Sequence, residues 1–467
     1  MGKTSEPPRT PRGMRDFAPD EKRRRDWVID RIRRVFDRYG YEPIETPAVE
    51  LFEVLRGKLG EEGEQLLFKI LRRGTPLDDL RLGKLPSVTI HSFDEVVDSA
   101  LRFDLTVPFA RFLAMHPQLP RPFKRYQIQP VWRAERQQRG RYREFYQCDV
   151  DVAGSASMMA DAEIVAIVVE TLEDLGFTEF VTHIGHRKVL DGLVEVAGGQ
   201  GHYQDICCAI DKFDKVGSAG VREELGRRSV PEGIADEILT RVAREEEPAK
   251  LLRTLAAELA ATRNGPAGVA ELAELFDILH ALGVPARRLA LDLRLVRGLD
   301  YYTGPVYESI VTTPAIGSLT GGGRYDELLG KFTGQPLPAV GTSIGLERII
   351  EVMKEFSMLP ETGGGTEVLV TIFDDATRAQ ALALVTELRR AGLRCEISLK
   401  PPKGLRPQIN YANTKKIPLI AVLGPDEVAA GQVVLRAGAE RQVRVARADA
   451  AAEARRLLAQ QPGDAPR

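Results

Sequence analysis

Between Phe123 and Ala153 the chain reads as strand, turn, strand, and this feature constrains the fold more than any other. Phe123–Arg133 and Arg143–Val152 are rich in aromatic and β-branched residues, and the basic segment Arg136–Tyr142 between them carries the turn glycine Gly140. Strands joined this closely must pair antiparallel, because a parallel pair needs a crossover of a dozen or more residues. Shorter extended segments follow from the same reading at Tyr41–Pro47, Leu66–Leu71, Ala100–Leu105, Leu289–Leu295 and Val306–Val311. The stretch Arg72–Asp98 is polar and irregular, an excursion between two strands. Residues 188 to 287, dominated by Ala, Leu and Glu, predict helices inserted between two β-rich blocks.

A helix is predicted from Glu21 to Tyr39, where Val28, Ile32, Val35, Phe36 and Tyr39 recur at helical spacing and Gly40 supplies the stop. Its run Arg23-Arg24-Arg25 is expected to be a solvated face. A second glycine-rich turn leads to a helix at 345–355. Beyond Gly363-Gly364-Gly365 the order is strand Glu367–Phe373, helix Thr377–Arg390, strand Arg394–Ser398, helix Leu405–Thr414 and strand Pro418–Leu423. That βαβαβ succession predicts a small α/β domain with its own sheet. The expected organisation is a loose tail over 1–12, a large domain over 13–360, a linker over 361–366, the α/β domain over 367–458 and a disordered tail over 459–467.

Composition narrows the function classes. With 467 residues, 43% apolar and 28% charged, the chain is a multidomain globular protein by composition. No apolar run approaches the roughly 20 residues that span a bilayer, and the N-terminus has no secretory h-region, so a cytoplasmic protein is expected. Cys148, Cys207, Cys208 and Cys395 are too scattered for a disulfide framework or structural zinc. Adjacent Cys207 and Cys208 are expected to be core-facing thiols. The net charge of −2 gives no overall attraction for nucleic acid, so a polyanion would need local basic patches.

Four segments carry chemistry. In Lys124–Gly154, Arg133 near the end of one strand can meet a phosphate bidentately, and Phe145 early on the returning strand offers a ring face to a base. Arg136, Arg139, Arg141 and Arg143 make the intervening loop a basic tongue suited to a nucleic-acid backbone. LVRGLDYYTGPVYE, Leu295 to Glu308, sets an arginine, glycines and paired tyrosines at a strand-to-turn junction. GGGRYDELL, Gly321 to Leu329, has three glycines but not the spacing of a Walker loop, which disfavours P-loop kinases and GTPases. In AVGTSIGLERII, Gly341, Ser343 and Gly345 run into a helix bearing Glu347 and Arg348. Taken singly, each segment has a structural explanation: a basic hairpin, core tyrosines, a turn, a small-residue strand.

In this order the segments are similar to class II aminoacyl-tRNA synthetases. Lys124–Gly154 and Ala339–Ile350 resemble motifs 2 and 3 of that class, and the helix and strand ending at Pro47 resemble the dimer-forming motif 1. LVRGLDYYTG, GGGRYD and GMRDFAPDE at Gly13–Glu21 resemble signatures of its histidyl branch, over about residues 12 to 458. The resemblance implies an α+β fold, with an antiparallel-sheet catalytic core, a helical insertion and a C-terminal anticodon-binding domain. It implies a homodimer that uses ATP with Mg²⁺ to make histidyl-adenylate from L-histidine and charges tRNA(His), with no resident metal site and no covalent enzyme intermediate. By position, Arg133 and Arg297 would hold the α-phosphate, Phe145 and Arg348 would sandwich adenine, and Glu135 would accept from its amino group. Asp104, Thr106 and Gln147 match positions for the α-ammonium group. Asp151, Tyr302 and Tyr325 match positions around the imidazole, with Tyr301 beside them in the histidine site. Arg136, Arg139 and Arg141 on the tongue, with Lys400, Lys403 and Arg406 in the terminal domain, would contact tRNA.

Three departures qualify the pattern. LRFDLT has Asp104 and Leu105 where the common bacterial sequence has glutamate and glycine, and Asp151 again replaces glutamate. Together with QCDVDVAG these resemble the eukaryotic-type branch. The tongue reads RQQRGR, where bacterial relatives usually have a proline after the first arginine. The rival function is the synthetase-like regulatory subunit of ATP phosphoribosyltransferase, a paralogue with no anticodon domain and a degraded arginine-tyrosine signature. Both features are present in this sequence.

Overall fold

The computed structural model describes residues 8–56, 65–73, 96–136, 138–296, 302–314, 316–361, 365–399, 404–438 and 441–460. Arg297, Tyr301, Lys400 and Lys403 lie outside the described residues, as do Gly363 and Gly364, most of the excursion 72–98 and most of both tails. The chain divides into two compact units: Met1–Phe17 with Arg25–Leu359, and Pro360–Arg467 with the short segment Ala18–Arg24.

Helix α1 (Pro19–Arg38), which belongs to the first unit from Arg25 onward, buries Val28, Ile29, Ile32, Val35 and Phe36 along one stripe. It stops at Gly40, whose φ of 72° is a left-handed conformation that suits glycine. Strand β1 (Glu42–Pro43) follows. Strands β2 (Val49–Leu51), β3 (Lys69–Leu71) and β4 (Val97–Leu101) form a small sheet in the order β2-β4-β3. The main sheet adds β5 (Phe123–Trp132), β6 (Glu144–Ala153), β7 (Val181–His186), β8 (Leu289–Leu291), β9 (Pro305–Ile310), β10 (Thr320–Arg324) and β11 (Ala339–Gly345). Its order is β1-β5-β6-β11-β10-β9-β7-β8. Every pairing from β5 to β7 is antiparallel, and the outer pairs β1–β5 and β7–β8 are parallel.

The two-residue period of the hairpin divides its side chains between two environments. Tyr126, Cys148, Val150 and Val152 join α1 and helix α2 (Met158–Asp174) in the main core, with Phe36 and Tyr126 ring centroids 5.5 Å apart. Arg125, Gln127, Gln147, Asp149 and Asp151 take the alternate positions. A one-residue slip would exchange the two sets, so this pairing register is strongly specified. The register sets Arg125 opposite Asp151 and Gln127 opposite Asp149; across β6–β11 it sets Asp151 opposite Gly341 and Asp149 opposite Ser343.

The helical stretch, Arg187 to Ala281, connects β7 to β8, its parallel neighbour. Its apolar faces, including Leu193, Ile206, Val221, Leu239, Leu255 and Leu275, extend the main core. Neither β7 nor α2 was expected from the sequence. In this stretch Cys207 is buried but Cys208 is only half-buried, which corrects the expectation that both face the core. Adjacent helical residues point about 100° apart, so both cannot lie on one narrow stripe.

The second unit has β12 (Val368–Val370), β13 (Cys395–Ile397) and β14 (Leu419–Val422) in parallel, linked by helices Arg378–Arg390 and Arg406–Thr414. Two unexpected antiparallel strands, β15 (Gln432–Ala437) and β16 (Arg441–Ala446), extend the sheet before helix Ala450–Ala459. Among the described residues, no helix is long and apolar enough to cross a membrane.

Candidate active site

The floor of the site is the polar face of β5, β6 and β11. Arg125 is fully buried; its Nη2 lies 2.8 Å from Asp151 Oδ2 and its guanidinium 4.3 Å from the Phe109 ring centroid. The Tyr325 hydroxyl donates to Asp151 Oδ1. Gln147 Nε2 donates to Ser343 Oγ at 2.9 Å, and the Ser343 side chain is also hydrogen-bonded to Asp149. Asp104 lies one turn before Val107, whose N–H donates to its Oδ1 at 3.2 Å at the start of helix Thr106–Met115. Thr106 is the first residue of that helix.

Burial dominates the electrostatics here. It pushes the Asp104 carboxyl up to about 6, against the opposing effect of Arg133 and the Val107 N–H. Burial also raises Asp149 and Asp151, with Arg125 the main opposing influence on both. A low-dielectric face rich in acceptors favours a ligand that brings N–H donors or positive charge.

At the turn end of the hairpin, Arg133 Nε donates to the Phe103 carbonyl at 2.9 Å, and its guanidinium lies 5.2 Å from the Phe145 ring centroid. Glu135 is 4.0 Å from Arg133 and 3.5 Å from Arg141. Arg348, on helix α3 (Leu346–Glu355), donates to Ser318 Oγ at 3.1 Å. A Cβ on Gly140 would lie 3.2 Å from Arg348 Cγ, so the hairpin turn and α3 meet here. Arg139 pairs with Glu355 at the end of α3, and Arg136 is exposed nearby in the chain.

Helix α3 is anchored by its second residue. Glu347 is 4% exposed and receives Arg25 at 2.7 and 2.8 Å, together with Arg15. The expectation that Arg23-Arg24-Arg25 is a solvated face therefore fails at Arg25, itself 4% exposed. The Gly13 carbonyl accepts from Arg143 N at 2.9 Å, and Arg15 sits 3.3 Å from the Tyr142 ring centroid. The segment Gly13–Phe17 thus clasps the return strand of the hairpin and α3 together.

The GGGRYD segment divides its work. A Cβ on Gly322 would come 2.2 Å from the Gly341 carbonyl oxygen, so glycine there serves close strand packing. Arg324 is buried with Asp161, whose Oδ1 also accepts from the Tyr307 hydroxyl at 2.6 Å, and this joins α2 to the sheet. Tyr325 alone reaches the floor of the site. Tyr302 lies against Gly323, with its ring Cδ1 3.0 Å from where a Cβ would be.

The structure therefore brings together Asp104, Arg133, Phe145, Gln147, Asp151 and Tyr325, with Thr106 and Tyr302 bordering them. Arg348 lies by the hairpin turn, and Arg406 begins its own helix in the second unit. Sequence reasoning missed Arg125, Asp149 and Ser343. The signal was available: polar residues at every second position of a strand share one face.

An antiparallel sheet with an arginine and an aromatic ring on paired strands, closed by a strand that runs into an arginine-bearing helix, defines a class II aminoacyl-tRNA synthetase core. The family model described as histidyl-tRNA synthetase matches residues 13–75 and 96–349, and the model of an anticodon binding domain matches 367–457. The chain belongs to the histidyl-tRNA synthetase family. It is 41% identical over 440 residues to a histidine–tRNA ligase of Cytophaga hutchinsonii, covering 92% of this chain and 95% of the relative. Among solved structures, a histidyl-tRNA synthetase from Nostoc sp. PCC 7120 superposes with a TM-score of 0.79 at 34% identity, covering 96% of this chain and 99% of the other. An ATP phosphoribosyltransferase regulatory subunit/histidyl-tRNA synthetase from Bacillus halodurans C gives 0.72 at 23% identity, covering 91% and 100%, and shares the fold.

Proposed function

We propose that the chain is a histidine–tRNA ligase, which activates L-histidine with ATP and transfers it to the 3′ end of tRNA(His). The observation that carries this reading is the buried acceptor face of Asp104, Gln147 and the Asp151–Tyr325 pair, next to the phosphate-binding candidate Arg133. Histidine offers an ammonium group and an imidazole N–H to those acceptors. Its carboxylate oxygen attacks the α-phosphorus, and pyrophosphate leaves as the phosphorus–oxygen bond to it breaks. Arg133 and Arg297 stabilise the charge that builds on the α-phosphate. Phe145 and Arg348 hold adenine between a ring and a guanidinium, and Glu135 accepts from its amino group. In the second step a ribose hydroxyl of the tRNA terminus attacks the activated carbonyl, and AMP departs.

Asp151 accepts one imidazole N–H, while Tyr302 and Tyr325, with Tyr301, complete the ring's surroundings. Arg136, Arg139 and Arg141 on the hairpin turn contact the acceptor end, and Lys400, Lys403 and Arg406 follow the phosphates near the anticodon. Mg²⁺ would enter with ATP, carried mainly by its β- and γ-phosphates, and would offset their negative charge. The working form is a cytoplasmic homodimer. Aminoacylation of unfractionated tRNA with each labelled amino acid tests the reading: histidine alone should be incorporated. Incorporation of proline or threonine, or of nothing, contradicts it.

A further inference from the structure

Asp149 Oδ1 and Gln147 Oε1, on the floor of the site, are among the buried oxygens with no hydrogen-bond partner among the described residues, and unlike Asp151 Oδ2 neither faces a guanidinium in an ion pair. Asp149 is 3% exposed and Gln147 8%, so bulk water does not satisfy them. Both are acceptors, and they stand two residues apart on the same face of β6. Of the donors nearby, Gln147 Nε2 donates to Ser343 and the Ser343 side chain is bonded to Asp149. Arg125 faces Asp151 as an ion pair at 2.8 Å, while its Nε and Nη2 make no well-formed hydrogen bond. Three carboxylates, Asp104, Asp149 and Asp151, face two guanidinium groups, Arg125 and Arg133, and Asp104 is close enough to Asp149 to raise it. Carboxyl groups outnumber guanidinium groups on this face, and the Asp149 and Gln147 oxygens are left without a donor.

We propose that Asp149 is a specificity-determining residue that supplies a second carboxylate, beside Asp104, to the subsite for the α-ammonium group of the substrate. The inference rests on the proposed reading of the site as an amino-acid pocket. An ammonium group brings positive charge and three N–H donors, which the orphaned oxygens of Asp149 and Gln147 can accept. The imidazole does not need Asp149, because Asp151 is already set for it by Arg125 and Tyr325.

The test compares wild type with Asp149→Asn in the full chain, using two competitive inhibitors of histidine-dependent pyrophosphate exchange. Histidinol keeps the ammonium group and the ring; 3-(imidazol-4-yl)propionate keeps the ring and lacks the ammonium. Loss of one charge-assisted contact should weaken histidinol and raise the KM for histidine by about 10–100-fold. Imidazolylpropionate should stay within about twofold, and kcat should fall far less than KM rises. Equal weakening of both inhibitors, or no change in either, overturns the proposal while wild-type exchange upholds the reading of the site. A wild-type chain that gives no exchange with histidine overturns both. If Asp149→Asn lowers the melting temperature sharply, Ser343→Ala carries the test. Removing the hydroxyl that orients Asp149 should reproduce the same selectivity at a few-fold scale, and equal effects on both inhibitors overturn the proposal there too.

Discussion

Gly341 has no room for a side chain: a Cβ built there would sit 1.9 Å from Asp151 Oδ1. The glycine on one strand thus makes space for the carboxylate on the next, and β6 and β11 have to be considered together. Residue types in motif order were legible from sequence, which is why Arg133, Phe145 and Arg348 could be named. Partners across strands were not, because Arg125, Asp149 and Ser343 are separated by 24 and 194 positions in the chain and meet only through sheet register. Burial raises Asp104 from 3.8 to about 6, so the folded chain binds this proton more tightly than the unfolded one. The resulting stabilisation is fully present below pH ~4 and is lost as pH rises through ~6, on the order of 3 kcal/mol. Denaturation of the ligand-free protein should therefore show Asp104→Asn gaining stability relative to wild type between pH 4 and 7. A constant difference across that range would contradict the burial account. For Arg297, which stands in the arginine-tyrosine signature, Arg297→Ala should lower single-turnover adenylate formation by roughly 10²–10³. Arg297→Lys should recover little, because a point charge lacks the planar two-pronged contact. Near-normal chemistry in the alanine variant, or a loss explained wholly by unfolding, would remove Arg297 from the catalytic set.

At the scale of elements, α1 was legible from its apolar spacing, yet the same spacing said nothing about Arg25. A buried arginine looks like a solvated one until its partner is known, and Glu347 lies 322 residues away. Strands β15 and β16 were missed for a different reason. Their outward positions carry Arg436, Arg441 and Arg444, which interrupt the apolar pattern along the chain. The Arg25–Glu347 pair fixes α3 against α1. Arg25→Ala would leave a buried carboxylate with Arg15 and the long Tyr146 N–H contact, and should destabilise the fold by roughly 3–5 kcal/mol in denaturant unfolding. A loss below about 1 kcal/mol would place the pair with weakly contributing surface bridges instead.

For the whole molecule, the account makes adenylate chemistry the work of the unit that ends at Leu359, since Asp104, Arg133, Asp151 and Arg348 all precede it. A chain truncated within Gly363–Gly365 should still form adenylate, and its charging of tRNA should fall sharply. Truncated protein that charges tRNA as well as the intact chain would refute that division of labour. The central claim, that this face selects histidine for activation, is tested most directly by ATP–pyrophosphate exchange with the intact protein against all twenty amino acids. Exchange should require both histidine and Mg²⁺. Exchange stimulated equally by proline or threonine, or by no amino acid, would contradict it.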